Sequence, residues 1–145
     1  MTADVGLALS GCAQVMHEMF HALDTANYER LVKTFVPDGT LLRQGELLQG
    51  RNQIMNAMQK RSTTQRIRHV ISNTFIDSQA LGLTHLVAYM TAYRFDDGTV
   101  HTEPVAISRP FRMSIVHAAM RPVNDSWQFA AMTFTPEFYF ASDAV

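Results

Sequence analysis

Gln65-Arg66-Ile67-Arg68-His69-Val70-Ile71-Ser72-Asn73-Thr74-Phe75-Ile76-Asp77 is the stretch on which the rest of the chain turns. Its odd positions read Ile67, His69, Ile71, Asn73 and Phe75; its even positions read Arg66, Arg68, Val70, Ser72 and Thr74. Strict alternation rich in β-branched residues predicts a strand with one buried face. That face carries two polar side chains, His69 and Asn73, among apolar ones. An unpaired buried polar group costs about 1–3 kcal/mol. The two residues are therefore expected to meet partners in the core or to line a cavity.

Outward from this strand, the flanking chain changes period. Residues 5–23 repeat apolar residues at helical spacing (Leu9, Ala13, Met16, Phe20, Leu23) and predict an amphipathic helix. Asp24-Thr25-Ala26-Asn27 interrupts it, and Asn27 is placed to cap a short helix over 28–35. Val36-Pro37-Asp38-Gly39 carries turn chemistry. Residues 40–42 and 46–48 fit a hairpin around Gln44-Gly45. A third helix is expected over 51–60. Beyond the opening strand, a turn near Ser78-Gln79 leads to a strand over 80–95. Asp96-Asp97-Gly98-Thr99 is a second turn. Residues 100–110 form an irregular connection, 111–123 a third long strand and 127–134 a fourth, with Pro136 ending the sheet. Phe138-Tyr139-Phe140 follows as an aromatic tail, either a lid or a packing surface.

Three helices followed by long antiparallel strands make an α+β arrangement in one domain, residues 1–145. The helices are expected to cover one face of a strongly curved sheet and to enclose a pocket. The second strand is apolar on both faces, with Leu83, Val87 and Tyr89 on one and Leu86, Ala88 and Met90 on the other. A sheet with two apolar faces needs a second cover, which predicts a homodimer through the outer face.

Composition narrows the function classes. The net charge of −1 has no basic block behind it, so nucleic acid and anionic membrane are not expected partners. Nine Met and nine Phe supply adaptable apolar surface, for the core or for an apolar or aromatic small molecule. A single cysteine, Cys12, allows no intrachain disulfide and predicts a reducing, cytoplasmic setting. Leu9-Ser10-Gly11-Cys12 matches a lipoprotein cleavage box superficially, but the leader holds Asp4, no Lys or Arg, and too short an apolar run. No apolar run is long enough to span a bilayer.

The order of elements, Asp24 within Leu23-Asp24-Thr25-Ala26-Asn27-Tyr28-Glu29-Arg30-Leu31, the Arg-x-His-x-x-x-Asn strand and the closing Trp127-Gln128-Phe129-Ala130 together resemble the SnoaL-like branch of the NTF2-like superfamily. Polyketide cyclases, ketosteroid isomerases, scytalone dehydratase and the small subunits of ring-hydroxylating dioxygenases share that fold. The resemblance implies an NTF2-like cone, a ligand pocket and cofactor-free lyase or isomerase chemistry on a cyclic or polyketide-like substrate. It aligns Asp24 with the dehydratase pocket aspartate, His69 with its first histidine and Ser114 with its pocket serine. About Met90 stands where the second histidine would be. Leu23, and Leu42 or Arg43, replace the two tyrosines, and about Val116 replaces an asparagine.

On this reading His69 and Asp24 are the catalytic candidates. A carboxylate beside an imidazole fixes its tautomer and strengthens it as a base; Asp24 alternatively caps the following helix. Phe20, Leu23, Asn73, Met90 and Ser114 are the substrate-binding candidates. Asn73 lies about 13 Å along the strand from His69, too far to act on the same atom. Arg109, Arg112 and Arg121 are expected as edge or rim charges, one of which could bind an acidic ligand. The competing function is a binding or accessory protein of the same fold. A remote third is zinc at His17 and His21, because His17-Glu18-Met19-Phe20-His21 matches H-E-x-x-H; the required third ligand would come from His69 or Glu46, neither of which sits at the spacing of a metalloprotease.

Overall fold

The computed structural model describes residues 4–141. Three helices, α1 (Val5–Asp24), α2 (Tyr28–Lys33) and α3 (Gly50–Gln59), pack on one six-stranded sheet. The strands are β1 (Phe35–Arg43), β2 (Glu46–Gln49), β3 (Arg66–Ala80), β4 (Leu83–Phe95), β5 (Arg112–Val123) and β6 (Ser126–Tyr139). Their spatial order is β2-β1-β6-β5-β4-β3, antiparallel throughout except for the parallel β1–β6 pair.

Local chemistry sets the helix ends. The Asp4 carboxylate accepts from the Leu7 N–H at 3.1 Å and opens α1. Thr25 closes α1, its hydroxyl donating to the His21 carbonyl at 2.8 Å. Asn27 caps α2 by accepting from the Arg30 N–H at 3.3 Å. Gly50, at φ +84°, turns the chain from β2 into α3, a conformation that favours glycine. Arg51 then donates twice to the Phe35 carbonyl, at 2.9 and 2.6 Å, and pins α3 to the start of β1.

The core lies between the helices and the inner face of the sheet. Phe20, Met16 and Met19 from α1, Ile54 from α3 and Phe35, Leu86, Val116, Met120 and Phe129 from the sheet are almost wholly buried. Each such side chain contributes about 1.5–3 kcal/mol on burial. Six of the nine methionines are in this core: Met16, Met19, Met58, Met90, Met120 and Met132.

Three expectations are corrected here. Asn73 is exposed, not on the buried face. A bulge between Ser72 and Phe75 places an extra residue in β3, and Asn73 takes it up at φ +56°. The phase then reverses, so Thr74 and Ile76 turn inward and Phe75 is half exposed. The β3–β4 turn falls at Leu81-Gly82, not Ser78-Gln79; both residues have positive φ, as a two-residue hairpin loop requires. Pro136 does not end the sheet. It sits within β6 opposite Ser114, beyond the last residue that pairs with β1, where a missing N–H leaves no ladder position empty on that side.

Candidate active site

Asp24 is the last residue of α1, and His69 is the fourth of β3. The helix end is carried against the strand, and the two side chains meet. Asp24 Oδ1 lies 2.6 Å from His69 Nδ1, and Asp24 Oδ2 accepts from the His69 backbone N–H at 2.9 Å. Arg68 also donates to the Asp24 carbonyl at 3.3 Å. The Asp24 and His69 side chains are 7% and 8% exposed, so no solvent competes for these bonds. The carboxylate, an acceptor only, accepts a hydrogen bond from Nδ1–H and leaves Nε2 as the available ring nitrogen. The Phe20 ring backs the imidazole at 5.4 Å between centroids.

His69 forms part of the wall of a cavity of about 420 Å³ between the helices and the sheet. Leu23, Met90 and Ser114 line it as well, and Met19 and Met58 complete an apolar side. Asn73 does not reach the cavity, because the bulge turns it outward. Phe20 does not line it either; it packs between His69 and Phe134. None of Phe138, Tyr139 and Phe140 covers it. Phe138 and Tyr139 continue β6 opposite Met113 and Arg112, and Phe140 lines a separate shallow hollow with Phe111.

The apolar wall of the cavity also carries a group of cations. Arg43, Lys60, Arg61, Arg94 and Arg112 all contribute to its wall, and no Asp or Glu does. Arg61 donates to the Leu23 carbonyl and the Tyr28 hydroxyl, at 3.0 and 3.1 Å. Arg94 is held by Gln65 at 2.9 Å and Asp96 at 3.4 Å. Arg112, expected at the rim, instead turns inward and stacks on Phe111 with its guanidinium carbon 4.3 Å from the ring centre. The Nε groups of Arg43 and Arg112 are buried and have no hydrogen-bond partner. Burial first, and then the neighbouring Arg61, hold Arg43 below the usual guanidinium range; Arg112 adds to this and Glu46 opposes it.

These cations had a visible signal. Arg94 has the parity of the inward Met90 and Ala92, Arg112 that of Ser114 and Val116, and Arg43 that of Leu41. Inward phase places them in the wall where strand ends would otherwise suggest a rim.

The histidines of the H-E-x-x-H segment lie on the outside of α1. His17 and His21 are exposed on α1, and Glu18 pairs with Arg30 at 3.0 Å. Among the described residues no three of His, Cys, Asp and Glu are grouped to hold an ion. Cys12 is fully buried in α1, and burial pushes its thiol up to about 11.

The SnoaL-like domain model matches residues 8–133. The chain belongs to the SnoaL-like family. No curated protein matches it in sequence. Solved structures share the SnoaL-like fold. A candidate scytalone dehydratase from Novosphingobium aromaticivorans superposes with a TM-score of 0.76 at 15% identity, covering 96% of this chain and 90% of that one. ActVI-ORFA from Streptomyces coelicolor gives 0.76 at 14% identity, covering 91% and 98%. The beta subunit of a candidate aromatic-ring-hydroxylating dioxygenase from Novosphingobium aromaticivorans gives 0.74 at 12% identity, covering 94% of each chain. At such identities the likeness establishes the SnoaL-like fold alone, and no helix among the described residues is long and apolar enough to cross a membrane.

Proposed function

We propose that this SnoaL-like protein is a lyase or isomerase that needs no cofactor and acts on a cyclic or polyketide-like small molecule. The observation that carries the reading is the buried 2.6 Å contact between Asp24 and His69 at the cavity wall. His69 Nε2 takes a proton from a carbon beside a carbonyl, which leaves an enolate. In a lyase the imidazolium returns that proton to a departing hydroxyl, so the net product is an alkene and water. In an isomerase it returns the proton to another carbon. Asp24 orients the imidazole and offsets its positive charge. The Ser114 hydroxyl, on the same wall, donates to the carbonyl oxygen. Leu23 and Met90 hold the apolar part of the substrate.

The competing role, binding without turnover, is favoured by one observation. Met90 lines the cavity, and the resemblance to a dehydratase puts a second histidine at about this position. Exchange of deuterium from solvent into the α-carbon of cyclic ketones, followed by NMR, separates the two. It detects proton removal whatever the leaving group. The wild type accelerates exchange and His69→Ala does not, while ligand binding persists. Ketone binding without exchange in the wild type assigns the protein to the binding role.

The same proposal includes a homodimer through the outer face of the sheet. Val70, Tyr89 and Tyr93 stand on that face and are 52%, 40% and 37% exposed, a surface that a second copy would cover.

A further inference from the structure

We infer that the ligand of this cavity is an organic acid whose carboxylate is bound by Arg43 and Arg112, with its ring against the apolar wall near His69. The inference rests on the reading that the cavity is the ligand site, and it adds the chemical class of the ligand.

Four arginines and a lysine share one cavity wall with no acidic side chain among them. Like charges gathered in a half-buried place destabilise the empty fold, because each raises the cost of desolvating the next. Chains retain such an arrangement where an anion supplies the missing charge. The partners of the individual side chains show where that anion sits. Arg61 and Arg94 already donate to protein oxygens, so their positions are fixed by the fold. Arg43 and Arg112 are different. Each buries an Nε–H with no acceptor. An unsatisfied buried donor is costly, and a charged one more so.

The geometry also selects the kind of anion. Phe111 covers one face of the Arg112 guanidinium, and Arg94 packs on the same ring at 5.6 Å. A covered face leaves the edge of the fork for hydrogen bonding, and that edge matches a planar carboxylate with two parallel N–H···O contacts. The nearby carboxylates do not fill this role: Asp24 is taken by His69, Asp96 by Ser62, Thr64 and Arg94, and Glu46 acts on Arg43 through its charge but leaves the Arg43 Nε–H without an acceptor. A cavity of about 420 Å³ is large enough for one or two fused rings with a short acidic arm.

The test compares naphthoate with its neutral isostere naphthamide by calorimetric titration of the full chain. Naphthoate binds at least about tenfold more tightly than naphthamide, and its affinity falls as salt rises. Arg43→Gln and Arg112→Gln each lower naphthoate affinity by about tenfold and leave naphthamide unchanged; Arg43→Lys restores part of the loss. Arg43→Met raises the melting temperature of the unliganded protein, which shows that the charge is held against stability and that the variant folds. Equal affinity for the two probes, or no binding of naphthoate at millimolar concentration, overturns the inference. So does unchanged naphthoate affinity in both Gln variants. The dyad reading is read from solvent exchange into a neutral cyclic ketone in His69→Ala, and the carboxylate reading from the difference between naphthoate and naphthamide in the two Gln variants, so failure of one registers apart from failure of the other.

Discussion

Replacing Asp24 by Asn tests the organisation of the site without knowledge of the substrate. The carboxylate holds two donors at once: the His69 backbone N–H on Oδ2 at 2.9 Å and the Nδ1 proton near Oδ1 at 2.6 Å. Asn offers one oxygen and one NH2 in the same plane. The backbone N–H can only donate, so the amide oxygen must face it. The NH2 then points at Nδ1, which must give up its proton and become an acceptor. The proton moves to Nε2, and the ring presents a donor to the cavity where it had presented a lone pair. The variant keeps two hydrogen bonds and exchanges charge-assisted for neutral ones, a cost of about 1–2 kcal/mol. Asp24→Ala is worse. It strands the backbone N–H and a ring nitrogen in a place less than a tenth exposed, at about 3–5 kcal/mol. Urea denaturation gives the two costs, and nitrogen NMR of the neutral imidazole gives the tautomer. Asp24→Asn is then expected to abolish proton removal while melting only slightly early. A ring that keeps its proton on Nδ1 in Asp24→Asn, or an Ala variant no less stable than the Asn variant, would refute the reasoning.

Three further outcomes are expected. A Cβ at Gly11 would sit 2.7 Å from Trp127 Nε1, so Gly11→Ala sets an overpacking cost of about 1–3 kcal/mol against a helix-propensity gain of about 1 kcal/mol. Net loss of stability and a shift in the emission of the single tryptophan are the readouts. Cys12, buried and pushed up to about 11, should resist alkylation at neutral pH in the native protein and react at the rate of a free thiol in urea. Hydrogen bonds from Ser62 first, then Thr64 and the Gly98 N–H, pull the Asp96 carboxyl down from 3.8 to about 2. A depressed carboxyl stabilises the fold above its ordinary value and ceases to as the pH falls through its folded value. The difference in melting temperature between the wild type and Asp96→Asn should therefore close between pH 3.8 and about 2.

The elements that could be read in advance were those whose physics is local. Asn27 caps a helix with its own side chain, Asp96 turns the chain with its own carboxylate, and the period of α1 is uninterrupted. The Asp24–His69 contact had a visible source too: a polar residue at a helix end and a polar residue on an otherwise apolar strand face. Alternation alone puts Asn73 on the wrong face, because a bulge is an insertion relative to the neighbouring strand and the sequence of β3 does not show its partner. Leu81 entered a turn for which its side chain is poorly suited, because Gly82 and the pairing of β3 with β4 decide the loop. Pro136 reads as a stop in the sequence because its exclusion from strands assumes partners on both sides. Arg43, Arg94 and Arg112 each carry an inward parity, but the sequence does not show a cluster, because these three and Arg61, which lies outside any strand, come from four separate parts of the chain.

The reach of β6 beyond β1 bears on aggregation. Beyond Thr133 β6 has β5 on one side and has left β1 behind on the other, which exposes a length of open strand edge. Such an edge is a template on which another chain can add a strand. The residues that follow are Pro136, which has no N–H to offer, and Glu137, which carries a charge. They make the edge a poor template, so the strand that carries Phe134 to the cavity can extend past its neighbour without recruiting further copies into a fibre.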